Sequence, residues 1–229
     1  MRRATPAVLM VATLAIAALD ARPADSGRGA AVAAPVPSSL TALESSAEDL
    51  VDFALSRDRA EVVATAGKLR ALASRPAAAS LTRAGVPRAT IGRLRDRANR
   101  VAGLAANGAF IRVALAANAV SGLMPSLYAR FHDRVPPSVL ALDYLDREAQ
   151  LRTIVGERNR VAEAVKRLAS TWKGLRPKVT AAGGAKAAAA YGRHVLAMSR
   201  LVGGPLKKVR EEAVHGQVLV DQLEAVFTR

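Results

Sequence analysis

Three ionisable side chains stand inside helical stripes that are otherwise apolar, and these are the positions where the sequence could do chemistry. Asp58 interrupts Val51, Leu55, Val62, Ala66 and Leu69. Arg112 stands at the centre of Leu94, Ala98, Val101, Ala105, Ala116, Ala119 and Leu123. Arg158 stands among Leu151, Val155, Ala162, Val165, Ala169 and Trp172. Spacing of three and four residues marks each stripe as one face of a helix. A charge on a core-facing stripe costs several kcal/mol unless a partner, water or a ligand meets it. Two guanidinium groups against one carboxylate leave a positive surplus suited to a small anion, so Asp58, Arg112 and Arg158 form a candidate ligand-binding layer. The competing reading is a satisfied Asp–Arg network, or arginines that reach water along their alkyl stems.

Other constellations are weaker. Asp143 and Arg147 lie at i, i+4 and form a candidate structural ion pair. Arg93, Arg97 and Arg100 line one face of the opening turns of another helical stretch. Glu212-Ala-Val-His215 has the E-x-x-H spacing of di-iron bundles, which use two such motifs and two further carboxylates. Here the inward stripe Leu206, Val209, Ala213, Val220 and Phe227 turns His215 outward, His132 falls in a turn and His194 on a helix flank. No metal site and no cofactor is therefore expected. Ser170-Thr-Trp-Lys173 fits S-x-x-K but lacks the accompanying S-D-N and K-T-G elements. With no cysteine there is no disulfide, thiolate metal site or covalently attached haem. The chain reads as a non-enzyme.

The elements that would position these groups are helices. Alanine supplies about a fifth of the 229 residues and aromatics only 3%, so small side chains with high helix propensity dominate. Four long stretches are expected: about 40–75, 88–130, 137–176 and 183–227, the last kinked at Gly203-Gly204-Pro205 because proline breaks a helical hydrogen bond. Pro76–Pro87 and His132–Pro137 are the connections. Short connections between long helices predict an all-α, antiparallel, up-down-up-down four-helix bundle over residues 40–229. In such a bundle Arg112, eighteen residues before Arg130, and Arg158, twenty-one after Pro137, differ in height by about 5 Å. The glycine-proline break falls at nearly the same level, which predicts a polar layer at mid-bundle. Val101–Ala129 carries only Arg112 as a charge, but Asn107, Asn118 and glycines at 103, 108 and 122 favour a buried helix over a membrane span.

Residues 1–21 read as a signal peptide: Met1-Arg2-Arg3 precedes an apolar stretch too short to cross a bilayer. Residues 22–39, rich in proline, glycine, alanine and serine, read as a flexible tether. The expected location is therefore periplasmic or secreted, with no transmembrane helix after cleavage. A formal charge of +15 favours an anionic envelope component or protein partner. Export and the scarcity of aromatics for base stacking disfavour nucleic acid. In architecture alone the expected bundle is similar to the cytochrome c′-type and b-type periplasmic bundles, but the C-x-x-C-H sequence is missing and no paired histidine is evident. Three functions follow: an exported, non-catalytic protein binding an anionic envelope component through basic faces; a small-anion binding or sensing protein using the Arg/Asp layer; or a bundle holding a metal or haem non-covalently.

Overall fold

Apolar residues at three- and four-residue spacing, with few β-branched runs, make helices of nearly every segment that the computed structural model describes, residues 34–229. In order these are α1 (Ser38–Ser56), α2 (Arg59–Ser74), α3 (Pro76–Arg83), α4 (Arg88–Ala106), α5 (Phe110–Ser121), α6 (Met124–Tyr128), α7 (Pro137–Ile154), α8 (Arg158–Ala181), α9 (Ala185–Leu201) and α10 (Leu206–Phe227). The protein is all-helical, and the only β-type pairing among the described residues is an isolated bridge between Pro35 and His132.

A single bundle of four long helices is not what forms. Each expected long helix is a hairpin of shorter ones, with the short α6 following the hairpin in the second, so eight helices of 12 residues or more carry the fold. The first stretch turns at Arg57, whose φ of 60° is left-handed, and Asp58 then caps α2 by accepting from the Glu61 amide at 3.1 Å. The third turns at Gly156, with φ of 77°, a conformation that costs glycine nothing. The fourth is divided at Gly203-Gly204-Pro205, the break that the sequence predicts, and the chain reverses there instead of kinking. The stripes run through the turns because both arms of each hairpin face one core: Val51 and Ala54 in α1, Val62, Ala66 and Leu69 in α2 are all buried. Periodicity alone cannot distinguish that from one straight helix.

The helices pack as two groups of four. In the first, α1 packs on α2, α2 on α4, α4 on α5 and α5 on α1; in the second, α7 packs on α8, α8 on α9, α9 on α10 and α10 on α7. Leu40, Leu43, Leu50, Leu69 and Leu94 centre one core, and Leu142, Trp172, Tyr191, Met198 and Leu223 the other. A fully buried leucine contributes about 1.5–3 kcal/mol relative to an exposed one, so each core is a substantial stabiliser. The groups meet along α7, which α5 and α6 contact. Leu151 of α7 is buried in the first core, and Asn118 of α5 donates to Glu148 at 2.9 Å. Tyr144 packs against Gly122, where a Cβ would stand 2.8 Å from its ring.

The signal-peptide reading and residues 22–33 of the tether lie outside the described residues. The end of the expected tether is ordered: Ala34 accepts from the His132 amide at 2.8 Å, and α1 begins at Ser38. Phe110–Tyr128 is long and apolar enough to cross a membrane by composition, but it is divided between α5 and α6 and half of it is buried.

Candidate functional site

The turns joining α1–α2, α4–α5, α7–α8 and α9–α10 share one end of the molecule. Arg57, Ala109, Arg112, Ile154 and Arg210 line a common cavity there. Arg112 lines that cavity, Asp58 follows Arg57 in the first of these turns and Arg158 follows Gly156 in the third, and all three are exposed. Asp58 is a helix cap. Arg158 opens α8 and donates to the Gly204 carbonyl at 2.9 Å, beside the glycine-proline break. The three are not brought together in a buried layer, because a charge at the crest of a hairpin interrupts an apolar stripe without entering the core. Arg147 Nε donates to Asp143 Oδ2 at 2.9 Å, and Arg147 also reaches the Glu48 carbonyl at 3.5 Å on α1. Burial pushes the Asp143 carboxyl up to about 6 against the opposing guanidinium charge.

Arg112 instead belongs to a cationic cleft. Arg97 and Arg100, at i, i+3 on α4, face Arg112 of α5 and Arg152 of α7 around a cavity of about 320 Å³. Alanines at 116 and 119 keep its wall low. Because α4 and α5 run antiparallel around Gly108, Arg97 comes level with Ala119 and donates to its carbonyl. Arg152 is held by Glu148 and Glu157, both at 2.7 Å. Among the described residues neither Arg100 nor Arg112 forms an ion pair, so the cleft holds an uncompensated positive charge. The sequence singles out Arg97, Arg100 and Arg112 separately; Arg152 arrives only through the packing of α7 on α5.

A second constellation is buried between α7, α9 and α10. Asp146 and the His194 ring are fully buried. As an imidazolium, His194 donates through Nε2 to Asp146 Oδ1 at 2.9 Å and through Nδ1 to Glu212 Oε1 at 2.8 Å. Tyr191 donates to Asp146 Oδ2 at 2.7 Å, and its ring packs 4.9 Å from that of Trp172. Burial disfavours the charged imidazole, but hydrogen bonds and charge from Asp146 and Glu212 outweigh it and raise the His194 pKa. Tyr191 is pushed well above its ordinary range by burial and by Asp146. The helices approach closely only because residue 216 is glycine: a Cβ there would lie 2.5 Å from His194 Nε2 and 2.6 Å from Asp146 Oδ2. His194 is no flank residue, and it meets His215 with ring centroids 6.3 Å apart.

The signal for this second cluster was present in the sequence. Tyr191-x-x-His194 and Glu212-x-x-His215 flank the break at 203–205 at nearly equal distances, and a hairpin there brings His194 beside Glu212. A kinked continuous helix keeps them far apart. Compared with known proteins, the chain matches no family model, no curated protein and no solved structure.

Proposed function

We propose that this is an exported, non-catalytic binding protein that takes an anionic group of the phosphate or carboxylate class in the cleft of Arg97, Arg100, Arg112 and Arg152. The observation that carries the reading is the convergence of four guanidinium groups from three helices on one cavity, of which only Arg152 has a carboxylate partner among the described residues. An isolated surface pair contributes only about 0–1 kcal/mol. Several planar guanidinium forks aimed at one site add bidentate geometry to charge, which is how arginine selects carboxylates and phosphates. The formal charge of +15 would draw anions toward the surface generally, and the cleft would be where they are held. An envelope component bearing phosphate or carboxylate groups fits both the basic surface and the leader-like N-terminus.

Titration calorimetry with inorganic phosphate and with citrate, on the wild type and on the Arg100→Ala/Arg112→Ala double variant, tests the reading. Binding to the wild type that weakens with added salt and is lost in the double variant is expected. Equal binding by both proteins, or none by either, would remove the cleft as the site.

A further inference from the structure

We infer that His194, Glu212 and His215 form a site for a divalent transition-metal ion of the zinc class, at the seam of α9 and α10. Their ligand atoms lie within 4.8 Å of one another, with Glu212 Oε1 2.8 Å from His194 Nδ1 and 3.6 Å from His215 Nδ1. Ligands at tetrahedral angles and zinc–nitrogen or zinc–oxygen distances of about 2.0–2.2 Å stand about 3.4 Å apart. These two spacings bracket that value. Two imidazoles and one carboxylate are borderline donors that suit zinc, cobalt or nickel better than calcium or magnesium.

Three features of the structure distinguish this cluster from a chance meeting of surface groups. Asp146 is fully buried and accepts from the far nitrogen of His194, the carboxylate–histidine arrangement that fixes the tautomer and leaves Nδ1 as the ligand. Asp146 is itself fixed by Tyr191, so the oriented chain is Tyr191–Asp146–His194. Solvent access is graded across the site: the His194 side chain is 0% exposed, Glu212 22% and His215 58%. That leaves an entry path and a fourth coordination position open to water. Binding displaces the Nδ1 proton of His194, so the hydrogen bond to Glu212 is replaced by two metal–ligand bonds, one to each residue, and one proton is released to solvent.

The full chain, stripped with a chelator and titrated with zinc chloride, tests this by calorimetry and by metal content after desalting. One zinc per chain is expected, with affinity falling by at least about tenfold in His215→Ala and in Glu212→Gln. His215 is exposed, so its variant retains the fold, which far-ultraviolet circular dichroism checks. Cobalt substitution gives a second readout: strong visible absorption of four-coordinate cobalt in the wild type, lost in His215→Ala and kept in His132→Ala. Absence of stoichiometric zinc, or the same affinity in wild type, His215→Ala and Glu212→Gln, would overturn the site.

Discussion

Replacing Gly216 by alanine separates helix propensity from packing. In the interior of an exposed helix this change stabilises by about 0.8–1.0 kcal/mol. At Gly216 the added methyl carbon would stand 2.5 Å from His194 Nε2 and 2.6 Å from both Cγ and Oδ2 of Asp146, each more than half an ångström inside an ordinary contact. None of these atoms is the free end of a mobile side chain. Asp146 is fixed by Tyr191 and His194, and His194 by Glu212. Relief requires α10 to move away from α7, or the Asp146–His194 bond to break. Overpacking a core costs about 1–3 kcal/mol, and a hydrogen bond to a charged group contributes about 1.5–3 kcal/mol. Where both costs apply, setting the propensity gain against them leaves a net loss of about 1.5–5 kcal/mol. Urea denaturation followed by circular dichroism measures it directly. A Gly216→Ala protein as stable as the wild type, or more so, would refute the claim that three helices close on this residue.

Gly67 in α2 and Gly174 in α8 have no neighbour within 4 Å of where a Cβ would stand, so Gly67→Ala and Gly174→Ala should each stabilise by up to about 1 kcal/mol, read as a rise in Tm by calorimetry. Stability should also fall as pH rises. Burial pushes Glu44 up to about 7 and Glu48 up to about 8 from an ordinary 4.5, so the folded protein holds protons that the unfolded chain has released. That stabilisation is complete below pH 4.5 and is lost as pH climbs through 7–8. A tenfold change in proton affinity is about 1.4 kcal/mol; with solvent screening at these half-buried groups, the loss attributable to Glu48 is about 2–3 kcal/mol. Denaturation at pH 5 and pH 9 should show the drop, and Glu48→Gln should flatten it; a protein more stable at pH 9 than at pH 5 would contradict the burial of these carboxylates.

Much of the helical structure was legible because its signals are local. The ends of α4, α7 and α10 follow from Pro87, Pro136-Pro137 and Pro205, and the apolar faces follow from spacing. The doubling of the first and third long helices into hairpins was not legible, because Arg57-Asp58 and Val155-Gly156-Glu157 are short interruptions that leave the stripe in phase. One glycine or one left-handed arginine can turn a chain or merely ride in a helix, and tertiary packing decides. The same ambiguity reaches the site. Arg112 and Arg158 stand near the turns of hairpins, where charges meet water, and not at the middle of straight helices. The ambiguity also hid the His194 cluster, since residues on the two arms of a hairpin meet whereas those on one straight helix do not. Arg152 could not have been joined to Arg97 and Arg100 from spacing, because it depends on how α7 of one helical group packs on α5 of the other.

The claim that an anion is held at one built site, and not spread over a basic surface, is tested most directly by magnetic resonance of the arginine Nε–H groups during titration with inorganic phosphate. Saturable shifts confined to Arg97, Arg100, Arg112 and Arg152 are expected, with one midpoint for all four. Small, unsaturated shifts across arginines on every face, with those four no different from Arg193 or Arg229, would contradict it.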